Sequence, residues 1–165
     1  MEILRIPHER VAVLIGSGGE TKRAIEKATG IKLAVSEEGE VEIESADALA
    51  EWRARDVVKA IGRGFNPRIA LKLLREDMYL EIVSLRDLLP TKKAIERQRG
   101  RVIGEGGKAW LTIEELSGAN ISVYGDTIAF IGSHEAIVAA KEAVLEIVGG
   151  RRHAAAFRQL ARRKG

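Results

Sequence analysis

The chain has 165 residues, 45% of them apolar and 31% charged, a composition that suits one domain or two compact ones of about 80 residues with a real core. It contains no cysteine and no apolar run near the roughly 18 residues of a membrane span, which excludes a disulfide framework, thiolate metal sites and a spanning helix. The net charge of +3 is uneven: residues 1–90 carry 14 basic and 16 acidic side chains, residues 91–165 carry 13 and 8.

Met1 to Pro7 alternates charged and apolar residues, does not resemble a signal peptide, and reads as a short strand over Glu2 to Ile6. A cytoplasmic protein is the expectation. His8 to Ile15 has helical apolar spacing at Val11, Leu14 and Ile15 and stops at a glycine turn, Gly16-Ser17-Gly18-Gly19. Glu20 to Thr29 reads as a helix with Ala24, Ile25 and Ala28 on one side, ended by Gly30. Ile31 to Val35 and Glu40 to Glu44 form a hairpin with Leu33, Val35, Val41 and Ile43 inward, which leaves Glu40, Glu42 and Glu44 on the wet face. Ala46 to Ile61 is a helix whose apolar positions are Leu49, Trp52, Val57 and Ile61, with Trp52 expected in the core. Gly62, Gly64 and Asn66-Pro67 break it.

After a connector helix at Arg68 to Arg75 the order begins again. Met78 to Val83 is a strand and Lys93 to Arg99 a helix, with a loop at Leu88 to Thr91 between them. The second turn, Gly104-Glu105-Gly106-Gly107, lies 88 residues after the first and opens a helix from Lys108 to Ser117. Ile121 to Tyr124 and Thr127 to Ile131 pair around Gly125-Asp126, and His134 to Val148 closes the module with Ile137, Val138, Ala140, Val144, Leu145 and Val148 as its apolar set. Arg151 to Gly165 has six basic residues and no acid, and is expected as a basic helix anchored by Phe157 and Leu160 alone. The domain plan is residues 1–64, a connector 65–77, residues 78–150, and a tail 151–165.

Two glycine turns in register imply a duplicated module whose turn is kept for use. Glycine turns that open helices commonly hold phosphate, because free helix N–H groups and the dipole face the anion. The nucleotide-binding fingerprints fail, however. A Walker motif needs Gly five residues before Gly107, where Val102 stands, and Ser or Thr after Lys108, where Ala109 stands. A dinucleotide fold needs a strand before the turn, and both turns here follow helical segments. The remaining fit is a G-x-x-G loop joining two helices to clamp a single-stranded nucleic-acid backbone. Ile15, Leu33 and Val35 would floor its groove in the first copy, and Ile103, Ile121 and Val123 in the second. Lys22 and Arg23 follow the first clamp; Lys108 follows the second, with Arg97, Arg99 and Arg101 before it. Glu105 would repel phosphate if it pointed inward. Trp110 is near enough to stack on a base, but its spacing with Ile113 and Leu116 favours core burial.

The segments LIGSGGETKRAIEKATGIKLAV and RVIGEGGKAWLTIEELSGANISVYG both resemble the core of a KH domain. The connector AIGRGFNPRIALKLL, the stretch GANISVYGDTIAFIG and the trailing RRHAAAFRQLARR are similar to those of the two-KH ribosome-assembly factors of the partner-of-Nob type, in archaeal form. The resemblance implies an α+β fold of tandem type I KH domains (β-α-α-β-β-α), each a three-stranded antiparallel sheet on three helices, plus a basic C-terminal helix. It implies binding to the 3′ end of small-subunit (16S) ribosomal RNA through Gly16, Ser17, Gly18 and Gly19 and through Gly104, Glu105, Gly106 and Gly107. It also implies cooperation with the Nob-type endonuclease that trims this end, and contact with translation initiation factor 2 alpha. No nucleophile–base pair, metal set or cofactor motif supports catalysis, and the histidines (His8, His134, His153) are scattered. The alternatives are a KH-fold protein adaptor and a KH protein acting on messenger RNA.

Overall fold

A computed structural model of the protein describes residues 1–164. The chain divides into two units, Met1–Glu76 and Asp77–Gly165. In the first, β1 (Glu2–Arg5) leads through a 3₁₀ turn at His8–Arg10 into α1 (Val11–Ile15). A second 3₁₀ turn, Ser17–Gly19, is followed by α2 (Glu20–Thr29), β2 (Lys32–Val35), β3 (Glu40–Glu44) and α3 (Ala48–Gly62). The second unit repeats the order with β4 (Tyr79–Ser84), α5 (Lys92–Ile103), α6 (Lys108–Ser117), β5 (Asn120–Tyr124), β6 (Thr127–Gly132) and α7 (His134–Val148). Between them, α4 (Pro67–Ala70) and a 3₁₀ turn at Leu71–Leu74 belong to the first unit, with Phe65, Ala70 and Leu73 buried. The connector is therefore shorter in helix than the spacing predicts, and it is core.

Each unit has a three-stranded antiparallel sheet, ordered β1-β3-β2 in one and β4-β6-β5 in the other. The strand between the hairpin turn and the closing helix is central in both, so the strand that follows the glycine-turn helix (β2, β5) is an edge. In β3 the period of two puts Val41 and Ile43 wholly inside and Glu40, Glu42 and Glu44 outside. This is the tandem type I KH architecture.

Three expectations about burial fail, for one reason: several apolar residues do not share the helix stripe that meets the sheet. In α3 the buried stripe is Ala54, Val57, Val58 and Ile61, spaced i, i+3, i+4, i+7. Leu49 and Trp52 project from the opposite side and are 57% and 60% exposed. The Trp52 ring is instead covered by the Arg55 guanidinium, 5.2 Å from its centroid. In α2 only Ile25 is buried; Ala24 and Ala28 face solvent. In α7 the core face is Ile137, Ala139, Ala140, Ala143, Val144, Ile147 and Val148, while Leu145 is exposed and Val138 half-buried.

An arginine ties off the closing helix of each unit. Arg10 donates from Nε to the Ile61 carbonyl (2.8 Å) and from Nη2 to the Phe65 carbonyl (2.9 Å). Arg101 donates from Nη1 to the Ile147 carbonyl (2.5 Å) and from Nη2 to the Arg151 carbonyl (2.6 Å). Both use a carbonyl and the one four residues on, so the guanidinium fork bridges the last turn of α3 or α7 to the chain that follows it. The two arginines stand at different distances from their glycine turns, so sequence register does not relate them. The tail forms α8 (His153–Lys164), which packs on α6 and α7 within the second unit. Ala156 and Leu160 are its buried positions, 1% and 3% exposed, and Phe157 is only half-buried. Polar anchors add to these: Gln159 and Arg163 both bond the Glu142 carboxylate, at 2.8 Å each, and His153 meets the Arg101 carbonyl at 2.7 Å.

Candidate nucleic-acid interface

The two glycine turns have the same geometry to within a few degrees. Gly16 (φ 76°, ψ 174°) and Gly104 (φ 76°, ψ 172°) end α1 and α5. Gly18 (φ 58°, ψ 23°) and Gly106 (φ 61°, ψ 20°) lie in the left-handed region, as do Gly19 and Gly107. Each turn is closed by the last glycine donating to the carbonyl of the first, 3.2 Å in both. The first and third positions are glycine for different reasons. A Cβ on Gly16 would overlap the Thr21 side chain and lie 2.8 Å from its backbone nitrogen; one on Gly104 would lie 2.6 Å from the Ala109 Cβ. A Cβ on Gly18 or Gly106 would meet no protein atom within 4 Å. Folding thus demands the first glycine, whereas the third keeps the main chain bare on an open surface. No side chain caps the N-terminus of α2 or α6; the first N–H of each, at Glu20 and Lys108, donates to the loop carbonyl three residues back, and the positive dipole end faces that surface.

The charges around the two turns differ. The first loop has the neutral Ser17 and then Glu20 as the first residue of α2; the second has Glu105 and then Lys108 at the same helix position. The first turn therefore has an acid beside it, although its loop carries none. Ser17, Glu20, Glu105 and Lys108 are all exposed. Lys22 is half-exposed on α2. Arg23 is exposed and bends back to donate to the Gly18 carbonyl at 2.7 Å, which fixes the loop with one of its five N–H groups. The corresponding residues of α6 are Trp110 and Leu111. Trp110 is half-buried against the core and Leu111 is 56% exposed, so the groove side of the second helix is apolar where the first is basic.

Of the three arginines preceding the second turn, Arg97 is exposed, while Arg99 is half-buried and its Nε has no hydrogen-bond partner. Arg101 does not join the clamp. Its guanidinium points to the ends of α7 and the 151 carbonyl, because residue 101 lies on the face of α5 turned toward the closing helix. Among the groove-floor candidates, Ile15 and Ile103 are half-exposed at the helix ends beside each turn, and Val35 is half-buried. Leu33, Ile121 and Val123 are 4%, 3% and 7% exposed, so they support the floor from the core and present little side-chain surface.

One pair of functional-side residues escaped the sequence reading. Glu26 accepts from the Leu33 N–H at 2.9 Å and Glu114 accepts from the Ile121 N–H at 2.8 Å, each a helix carboxylate holding the edge strand. Both pairs are offset by 88 residues, like the glycine turns, so the repeat itself carried the signal. Each carboxylate fixes the separation between the helix after the clamp and the open edge of β2 or β5. No group of three or more His, Cys, Asp or Glu among the described residues is placed to hold a metal ion, and no helix among them is long and apolar enough to cross a membrane.

Residues 79–165 match the model of the eukaryotic-type KH domain (KH-domain type I), and residues 1–60 match that of the KH domain. A KH domain-containing protein of Methanocaldococcus jannaschii is 48% identical over 99% of this chain and 74% of its own length. The RNA-binding protein pno1 of Ixodes scapularis is 32% identical over 74% of this chain and 54% of its own. Among solved structures, Dim2p from Pyrococcus horikoshii has a TM-score of 0.90 at 48% identity, covering 98% of both chains. The complex of a/eIF2alpha, aDim2p and rRNA from the same organism matches with a TM-score of 0.92 at 48% identity, over 99% of this chain and 93% of that one.

Proposed function

This chain belongs to the Dim2/PNO1 family of tandem KH proteins, and on that premise we propose that it is an RNA-binding ribosome-assembly factor that grips single-stranded small-subunit rRNA near its 3′ end. The observation that carries the reading is the open third glycine of each turn. A sugar-phosphate chain needs to lie against the main chain there, next to an uncapped helix start, and a side chain would hold it off. Bases entering the groove meet Ile15 or Ile103 and the edge strand whose position the Glu26 or Glu114 carboxylate fixes. The aDim2p complex with rRNA and a/eIF2alpha supports both the RNA and translation initiation factor 2 alpha as partners. The Nob-type endonuclease that trims the same end is the expected enzymatic partner, with this chain acting as a cytoplasmic binder and not as a catalyst.

Crosslinking in cells of the native host followed by sequencing tests the reading. Reads should concentrate at the 3′ end of small-subunit rRNA and fall in a Gly18→Asp strain. A distribution dominated by messenger RNA, or one unchanged by substitution of both clamps, overturns it.

A further inference from the structure

The second clamp has a flank that the first lacks. After α3 the first unit continues into α4, whereas in the second unit α8 runs along α6 and α7. Gly104, Glu105, Lys108, Thr112, His153 and Phe157, with Ala109 beneath, line a hollow of about 430 Å³ including its open mouth. Lys108 and Thr112 are four residues apart and share one face of α6. Glu114, which holds β5, projects from the far side of the helix, so this hollow is distinct from the base groove.

Its walls are chemically specific. His153 Nε2 lies 2.7 Å from the Arg101 carbonyl; a carbonyl only accepts, so Nε2 carries the hydrogen and the ring is fixed. That ring tilts against Phe157, with centroids 5.7 Å apart, and Phe157 is half-buried. The result is a rigid aromatic wall facing a backbone of glycine and alanine. Lys108 supplies a cation at the rim, and Arg158, next along α8, is exposed with no ion pair or hydrogen bond among the described residues. Glu105 supplies an acceptor that disfavours a phosphate inside the hollow and suits a base carrying an exocyclic amino group.

The geometry points to a subsite for one unpaired base of single-stranded RNA, stacked on Phe157 with the tilted His153 ring at its edge, its amino group donating to Glu105 and its phosphate held at Lys108. Adenine, cytosine and guanine carry that amino group and uracil does not. The inference rests on the RNA-binding reading above and adds a nucleotide beyond the groove. It also gives the acidic residue of the second loop a use.

The test is fluorescence anisotropy of the full chain with a core single strand of about eight nucleotides from the 16S rRNA 3′ end. The same strand is then extended at either end by A, C, G, U or an abasic unit. Wild type should gain about tenfold from an A or C extension at one end, and little from the abasic unit. Phe157→Leu keeps the apolar anchor and should abolish that gain while leaving affinity for the core strand intact. Glu105→Gln, able to donate as well as accept, should bring the U extension level with A and C. An identical gain in wild type and Phe157→Leu, or an equal loss for core and extended strands, overturns the subsite. A wild-type protein that binds neither strand overturns both this inference and the RNA-binding reading, whereas core binding with no gain from extension overturns this inference only.

Discussion

Substituting the first and third glycines of one turn should separate folding from binding. Gly16 has φ 76° and ψ 174°, a region nearly confined to glycine, and its missing Cβ would press into Thr21. Gly16→Ala therefore combines a backbone cost with overpacking, together about 2–4 kcal/mol of stability. Gly18 has φ 58° and ψ 23°, which Asp tolerates better than most residues, and its Cβ would enter open space. Gly18→Asp should cost about 1 kcal/mol or less in stability. Its carboxylate would, however, stand roughly 5 Å from a clamped phosphate, a repulsion of about 1–3 kcal/mol between the limits of water and a protein-surface dielectric. That corresponds to a loss of roughly 5- to 150-fold in affinity. Urea denaturation of both variants, with anisotropy titrations on single-stranded RNA at fixed salt, reads out each quantity. Gly18→Asp binding like wild type, or unfolding as readily as Gly16→Ala, would refute a division of the two glycines between folding and binding.

Three further outcomes follow from contacts in the structure. Glu114→Ala leaves the Ile121 N–H without its acceptor and should cost about 1–3 kcal/mol in denaturant titration, with Glu114→Gln recovering most of it. Trp52→Ala, on the exposed side of α3, should cost less than about 1.5 kcal/mol although it deletes the larger side chain, while Ile61→Ala on the buried stripe should cost about 2–5 kcal/mol in the same assay. Arg101→Met removes both donors from the Ile147 and Arg151 carbonyls and should loosen α8, seen as faster hydrogen exchange over residues 153–163 without a matching change in the first unit.

The legible part of the fold was the part written in local chemistry. Gly30 and Gly118 end α2 and α6 in the left-handed conformation, Gly125-Asp126 turns the second hairpin, and Ser133 caps α7 by accepting from the Ala136 N–H. Each of these devices acts within four residues, so the chain states them directly. Burial was legible only where a helix has a single apolar stripe. In α3 the apolar residues fall on two faces, and propensity does not say which one the sheet will cover. The geometry of the two glycine-rich loops was legible for the same reason, since their glycines impose their own backbone. Arg101 was not, because its basic character is local but its partners lie 46 and 50 residues away.

The sequence alone determined the duplication, the order of elements and the two bare turns, because glycine conformation, turn residues and hydrophobic period are properties of short segments. Only the tertiary structure decided that Trp52 is outside, that Arg10 and Arg101 close equivalent helix ends, and that α8 lies beside the second glycine turn. Those outcomes depend on which faces meet and which carbonyls a distant side chain can reach once the chain has folded, and neither is specified by neighbours in sequence.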